Sequence, residues 1–211
     1  LGRAVTNGCS EMATALVNGI ITLMFNWTML KYVGEDGVAA ITIISYVLAF
    51  AGSLYAGYAY GVAPMLSFYY GEQNHEKLRK LVRTSLKIIG VIAAATVLVS
   101  LAVTEPLVSI FARPGTPVYD LAVAGNRICS LSLLFVGCNI FASGMFTALS
   151  NGLISAVLAF SRTFVFTLIA MLVLPVILGV TGIWLATPAA ELAAVVLSAV
   201  MLLKYRRRYC Y

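Results

Sequence analysis

The side chain with the clearest chemical potential is Glu191, which stands deep inside a long apolar run. In a helix it would lie about nine residues, or about 14 Å, from the start of that run, near the middle of a bilayer. A carboxylate at that depth costs several kcal/mol unless it is paired, hydrated or protonated. The acid is therefore predicted to carry protons; the alternative is a structural acid, permanently protonated or paired with an arginine.

Arg162, in the preceding apolar run, is the basic residue that could pair with Glu191. In straight helices the two heights would differ by about 12 Å, so a direct pair requires a bend or a register shift. The alternative is that Arg162 extends towards the cytoplasmic surface. Pro188, one turn before Glu191, is expected to open the helix and expose a carbonyl beside the acid.

Polar residues within the apolar runs recur seven or eleven positions apart, a spacing that puts them on one helix face. Three such stripes are present: Glu11, Asn18 and Thr22; Ser132, Asn139, Ser143 and Ser150; and Thr187, Glu191 and Ser198. We predict that the stripes line a shared wet interior that binds substrate or cation. The alternatives are that they only bond helices together, and that Glu11 is a first-turn acid at a helix N-terminus.

Composition identifies the elements that must position these residues. Of the 211 residues, 61% are hydrophobic and 10% are charged, with a mean hydropathy of +0.96. Soluble domains carry roughly 25% charged residues, so this is an integral membrane protein. Six runs are long enough to span a bilayer: 12–30, 38–69, 85–103, 128–149, 153–178 and 182–203. The predicted fold is therefore all-α and polytopic, one lobe of six transmembrane helices over 1–211.

Basic residues predict the orientation of these spans. Ten of them fall on one side if both ends of the segment are cytoplasmic: Arg3, Lys77, Arg79, Lys80, Arg83, Lys87, Lys204, Arg206, Arg207 and Arg208. The positive-inside rule then makes that side cytoplasmic, and the charges are topology signals rather than a nucleic-acid surface. The opposite connection, 104–127, is expected to hold a short interfacial helix.

The second span carries signals for packing and bending. Ser53, Gly57 and Gly61 lie four residues apart, and such a face lets two helices approach closely in lipid. Pro64 in this span and Pro175 in the fifth are the predicted bend points.

Other chemistry is not indicated. The cysteines, Cys9, Cys129, Cys138 and Cys210, have no metal-binding spacing and are interpreted as packing thiols. The sequence has no phosphate-binding loop, dinucleotide loop or nucleophile elbow, so we expect neither an enzyme, nor a cofactor, nor a metal site.

Several segments together resemble one family. They are NGCSE at 7–11, FN at 25–26, GYAYGVAPMLSFYYGEQNHEKLRK at 57–80, ALSNGLISAVLAFSRTFVFTLIAMLVLP at 148–175 and GIWLATPAAE at 182–191. They look like the carboxy-terminal half of a multidrug and toxic compound extrusion (MATE) transporter. The resemblance implies two six-helix lobes in the plasma (inner) membrane, of which the amino-terminal lobe would be this chain's partner. It also implies export of organic, often cationic, drugs by alternating access, coupled to H⁺ or Na⁺.

The sequence departs from the sodium-coupled branch of that family. That branch has an acid in the middle of its seventh helix, where Asn18 stands here, and a Tyr and an Asp in its tenth. The span 128–149 has no acid and no Tyr. Coupling is therefore expected through Glu191 or Glu11, or through acids of the other lobe. Two alternatives stay open: a flippase of lipid-linked saccharides from the same superfamily, and a six-helix membrane scaffold that transports nothing.

Overall fold

The computed structural model describes the backbone of residues 2–209 and the side chains of 16–206, 208 and 209. These residues form helices joined by short turns, with no strand among them. The helices are α1 (Gly2–Tyr32), α2 (Glu35–Gly71), α3 (His75–Ala102), α4 (Thr104–Phe111), α5 (Pro117–Cys129), α6 (Leu133–Ala148), α7 (Gly152–Phe160), α8 (Thr167–Leu178) and α9 (Val180–Tyr209). A 3₁₀ turn, Ser130–Ser132, joins α5 to α6, and a π-helical turn, Ser161–Phe166, joins α7 to α8.

Five helical stretches within the described residues are long and apolar enough to cross a membrane. They are Glu35–Gly71, His75–Ala102, Pro117–Ala148, Gly152–Leu178 and Val180–Arg206. The first predicted span lies in α1, whose side chains are described only from Leu16 onwards. The chain is thus an all-α polytopic membrane protein, as predicted.

The fourth of the six predicted spans begins earlier in the structure than its apolar run does in the sequence, at Pro117 rather than at residue 128. The Thr116 side chain accepts a hydrogen bond from the Tyr119 amide, and Pro117 occupies the first helical turn, a combination that starts helices. Asp120 and Arg127 interrupt the apolar run and hide this start in the sequence. The stretch Pro117–Ala148 therefore does contain a Tyr and an acid, Tyr119 and Asp120, which the predicted span 128–149 lacks. The remainder of the 104–127 connection holds the short helix α4.

Close packing centres on α2, but not on its small-residue face. Tyr55 of α2 is buried, and its hydroxyl bonds to Thr96 and to the Leu133 carbonyl. A Cβ added at Gly137 of α6 would lie 2.6 Å from the Tyr55 ring. By contrast, nothing lies within 4 Å of a Cβ added at Gly57 or Gly61, so the expected tight contact through that face does not occur within the described residues.

The helical hairpin of α8 and α9 has the tightest approach. Gly179 ends α8 with φ 58° and ψ −135°, a conformation that side chains disfavour. Gly182 then packs so closely against α8 that an added Cβ would overlap the Leu174 carbonyl. Pro175 lies inside α8 near this contact, and Pro64 lies inside α2, which stays helical through it.

At one end of the molecule, the ends of α2, α6 and α9 contact one another through aromatic side chains. The Tyr209 ring of α9 packs edge-on against Tyr70 of α2 and Phe146 of α6, with centroids 5.7 and 6.3 Å away. The Tyr209 hydroxyl accepts a hydrogen bond of 2.7 Å from Asn151, which caps α7. We call this end, with residues 71–87, 149–151 and 204–209, the basic end because nine of its residues are Lys or Arg and two are acidic.

Candidate functional site

A buried polar network surrounds Glu191 halfway along α9. The Arg162 Nε donates to both carboxylate oxygens of Glu191, at 2.8 and 2.9 Å. The Asn139 amide nitrogen donates to the Glu191 Oε2 at 2.7 Å and to its backbone carbonyl at 3.0 Å. The Ser198 hydroxyl donates to the Asn139 Oδ1 at 3.0 Å. These four residues, Asn139, Arg162, Glu191 and Ser198, form what we call the Glu191 network.

The direct contact between Arg162 and Glu191 settles the two alternatives for Arg162. Its side chain pairs with the acid rather than extending to the membrane surface. Arg162 lies in the π-helical turn Ser161–Phe166, in which the Thr167 hydroxyl bonds to the Arg162 carbonyl five residues earlier. Such a turn shifts the helix register, and a straight-helix estimate does not include it.

The network is arranged for a charged carboxylate. Ser198 donates to the Asn139 Oδ1, so the amide turns its N–H groups towards Glu191. Arg162 supplies the opposite charge, which a carboxylate in a membrane helix requires. The side chains of Arg162 and Glu191 remain 24% and 11% exposed, so the described residues do not fully enclose the pair.

A second polar cluster joins α6 to α7 near the basic end. The Ser155 hydroxyl lies 3.0 Å from the Ser143 hydroxyl and accepts a 2.7 Å hydrogen bond from Thr147. Ser143, predicted to share a stripe with Asn139, therefore bonds to a different helix and lies outside the Glu191 network. Ser155 gave no signal in the sequence, since a lone serine in an apolar run is ordinary.

The predicted stripe of the first span does not join this network within the described residues. Asn18 and Thr22 are both exposed, and the Thr22 hydroxyl bonds to the Asn18 carbonyl at 2.9 Å. Glu11 lies outside the residues whose side chains are described. The stripes of the fourth and sixth spans thus meet through Asn139 and Glu191, while that of the first remains a separate surface.

The carbonyl freed by Pro188 has a different partner from the one expected. Pro188 lacks the N–H that would bond to the Trp184 carbonyl one turn earlier. The buried thiol of Cys129 donates a hydrogen bond to that carbonyl, with the sulfur 3.3 Å from the oxygen. Cys129 was interpreted only as a packing thiol, and its role in capping the opened turn was missed. Cys129 and Cys138 are both free thiols.

An open groove of about 1160 Å³ lies at the end of the molecule away from the basic end. Its walls come from α1, α2 and the segment between α4 and α5, and they are mostly apolar. Trp27 and Tyr46 contribute aromatic faces, while Glu35 and Asp36 contribute acids and Arg113 contributes a positive charge. The same acids also lie in the first turn of α2, where negative charge stabilises a helix N-terminus. Among the described residues, no cluster of His, Cys, Asp and Glu could hold a metal ion.

Comparison with solved structures shows that the fold of this chain is a known one. Solved structures with the same fold include a multidrug resistance MATE family transporter of the MOP superfamily in an outward-facing conformation, at TM-score 0.81 and 22% identity, covering 92% of this chain and 43% of that one. The Vibrio cholerae MATE transporter VcmN in its bent form matches at TM-score 0.82 and 19% identity, and the match covers 99% of this chain and 48% of that one. A MOP superfamily transporter from Pyrococcus furiosus matches at TM-score 0.82 and 21% identity, and the match covers 92% of this chain and 43% of that one.

The chain spans less than half the length of these solved structures. None of the curated proteins matches it. The family model described as MatE matches residues 12–173, which is more than half of the chain. On that match, this chain belongs to the MatE family.

Proposed function

We propose that this chain is one lobe of a cation-coupled antiporter, driven by H⁺ or Na⁺, that exports organic and often cationic drugs by alternating access. Family membership supports transport, and one of the similar structures is described as a multidrug resistance transporter. The observation that carries the coupling part is the Glu191 carboxylate, an incompletely enclosed charge inside a membrane-crossing helix. Its proposed partner is an amino-terminal lobe of similar size in the plasma (inner) membrane.

Alternating access requires a lobe that keeps its shape while it moves. This chain resembles the same kind of transporter in an outward-facing and in an inward-facing conformation, with a TM-score of 0.81 to each. That equal likeness supports a motion in which the lobe rotates as a unit rather than rearranging internally.

Coupling would work by competition at Glu191. A proton or Na⁺ that binds the carboxylate neutralises the charge to which Arg162 is bound. Arg162 then loses the attraction that holds the π-helical turn against α9, and the contact between the two helices weakens. Asn139 keeps its bond to the Glu191 backbone carbonyl, so the acid itself stays in position.

The substrate class is supported by the open groove. An apolar wall with aromatic faces, and with two acids against the single base Arg113, fits a flat organic cation, because the rings attract positive charge and the excess acid compensates for it. Asn26, which lies near the polar stripe of Asn18 and Thr22, also lines this groove. We propose that the exposed polar face of α1 is part of the substrate path.

The test is drug export by the full-length protein carrying Glu191→Gln. Glutamine keeps the shape and the contact with Asn139 but removes the charge that a cation would neutralise. We expect export to lose its dependence on the H⁺ or Na⁺ gradient and to fall by about tenfold, the factor that corresponds to losing one coupling interaction of about 1.4 kcal/mol.

Glu105→Gln is the matched control, because Glu105 forms an exposed ion pair with Arg127, with side chains 62% and 56% exposed. Its removal should leave export and coupling unchanged. Unchanged export with unchanged dependence on pH and Na⁺ in Glu191→Gln would contradict the coupling role. Export of no drug by the wild-type protein, with lipid-linked saccharide translocated instead, would favour a flippase.

A further inference from the structure

Helix α3 is packed on one side only, and its opposite side is basic. Its buried residues recur along a single face: Leu78, Val82, Ser85, Ile89, Ala93, Val97 and Ser100. Lys80, Arg83 and Lys87 are exposed. Positions three and seven apart lie within about 60° of each other on a helix. These three cations, which we call the α3 stripe, therefore point away from the packed face.

The same face becomes apolar further along the helix. Val91 and Leu98 lie eleven residues after Lys80 and Lys87, an interval that returns to within about 20° of the same direction. Both are well exposed, at 70% and 68%. One continuous surface thus carries cations over the first turns of α3 and aliphatic side chains over the rest.

The length of the apolar part fixes the depth of the cations. Residues 88–102 of α3 span about 22 Å, which is shorter than the hydrocarbon core of about 30 Å. Lys87 and Arg83 must therefore extend their ammonium and guanidinium groups outwards, to the level at which the lipid phosphates lie.

No acid of the described residues neutralises this stripe. The ion pairs found there are Arg127 with Glu105 and Arg162 with Glu191, and neither includes Lys80, Arg83 or Lys87. Of the acids at the basic end, Glu72 lies before α3, and Glu76 lies one helical turn before Lys80 without forming an ion pair with it. The stripe therefore presents three positive charges, none of them in an ion pair with a described residue, directly above an exposed apolar surface.

We propose that this face of α3 binds an anionic phospholipid, with the headgroup phosphate on Lys80, Arg83 and Lys87 and an acyl chain along Val91 and Leu98. Charge attracts the headgroup, and exposed aliphatic side chains accommodate the chain, so both parts of one molecule are complemented by one helix face. A zwitterionic lipid fits the apolar part equally but gains less from the cations.

The experiment uses full-length protein with Val91→Trp, in a background where Trp27, Trp184 and any tryptophan elsewhere in the protein are replaced by Phe. The protein is reconstituted in vesicles that mix phosphatidylglycerol and phosphatidylcholine in varied ratio, with only one of the two lipids brominated in each series. Quenching of the introduced tryptophan's fluorescence then reports how often the brominated lipid occupies the site. Each basic residue near an anionic surface contributes roughly a fivefold factor. We expect a preference for phosphatidylglycerol of up to about a hundredfold, the product of three such factors, falling to below about twofold when Lys80, Arg83 and Lys87 are all changed to Gln.

The matched control removes three charges from the same end but not from the stripe, by changing Arg79, Lys204 and Arg206 to Gln; it should keep the preference. Quenching by brominated phosphatidylcholine alone should be equal in all variants, which verifies insertion. Three results would overturn the proposal: no quenching of the introduced tryptophan by either lipid, a preference that survives in the stripe variant, or an equal loss in the control.

Discussion

At the scale of single residues, Glu191 is an acid whose charge is balanced inside the membrane-crossing part of the chain. Arg162 provides the opposite charge, and Asn139, oriented by Ser198, provides a neutral donor. Buried ion pairs are seldom a net source of stability, because desolvation offsets much of the attraction. Removing one partner is costly, however, since the remaining charge has no compensation. Under the proposed coupling, neutralisation of the Glu191 carboxylate would therefore release this contact, whereas Arg162 stays charged.

A double-mutant cycle tests this reading. Arg162→Met or Glu191→Met should each destabilise the protein by about 3 kcal/mol, because each leaves one charge unpaired in a buried site. The double variant, with two apolar side chains, should recover much of that loss. Thermal unfolding of the detergent-solubilised full-length protein would measure all three. Strictly additive losses would mean that the two side chains do not depend on each other.

At the scale of helices, contact between α2 and α6 depends on the absence of a side chain at Gly137. The ring of Tyr55 and the Ile89 side chain lie 2.6 and 2.8 Å from the position that a Cβ would occupy. The ring cannot move aside easily, since its hydroxyl bonds to both Thr96 and the Leu133 carbonyl. Gly57, on the exposed face of the same α2 helix, has no such neighbour.

Two alanine substitutions therefore make a matched pair. Gly137→Ala should destabilise the protein by about 1–3 kcal/mol through overpacking. Gly57→Ala should be neutral or stabilising by about 0.5–1 kcal/mol, because alanine favours the helix and meets nothing. Thermal unfolding of both variants in detergent would measure the difference. Equal destabilisation by the two changes would contradict it, and would indicate that another part of a longer protein packs on Gly57.

At the scale of the whole molecule, charge is distributed unequally between the two ends. The basic end holds nine Lys or Arg and two acids, and the opposite end has Lys31, Arg113 and Arg127 against Glu35, Asp36, Glu105 and Asp120. Basic residues near helix ends stay on the cytoplasmic side during insertion. The helix ends brought together around Tyr209 should therefore all face the cytoplasm.

Labelling of single cysteines checks this orientation. In full-length protein whose native cysteines are replaced by alanine, Arg113→Cys should react with a membrane-impermeant thiol reagent in intact cells. Lys80→Cys should react only after the cells are permeabilised, because the positive-inside rule assigns its end of α3 to the cytoplasmic side. Labelling of Lys80→Cys in intact cells, or protection of Arg113→Cys, would reverse the proposed topology.

Much of this protein was determined by local pattern in the sequence. Composition and run length identify an all-α membrane protein, since crossing a bilayer requires only enough consecutive apolar residues. Helical spacing identified the stripes of Asn139 and of Glu191, because residues on one face recur at a fixed interval. The depth of Glu191 followed from its position in the run. Each of these properties belongs to one helix at a time.

Contacts between helices were decided only by the tertiary structure. Arg162 pairs with Glu191 from within a π-helical turn that no composition signal marks, and straight helices would have placed the two residues at different heights. Close approach occurs at Gly137 and not at Gly57, although both are glycines in apolar helices. Which stripe meets which depends on the rotation, tilt and register of each helix against its neighbours. Those quantities are set jointly by all packed side chains, so no single stretch of sequence contains them.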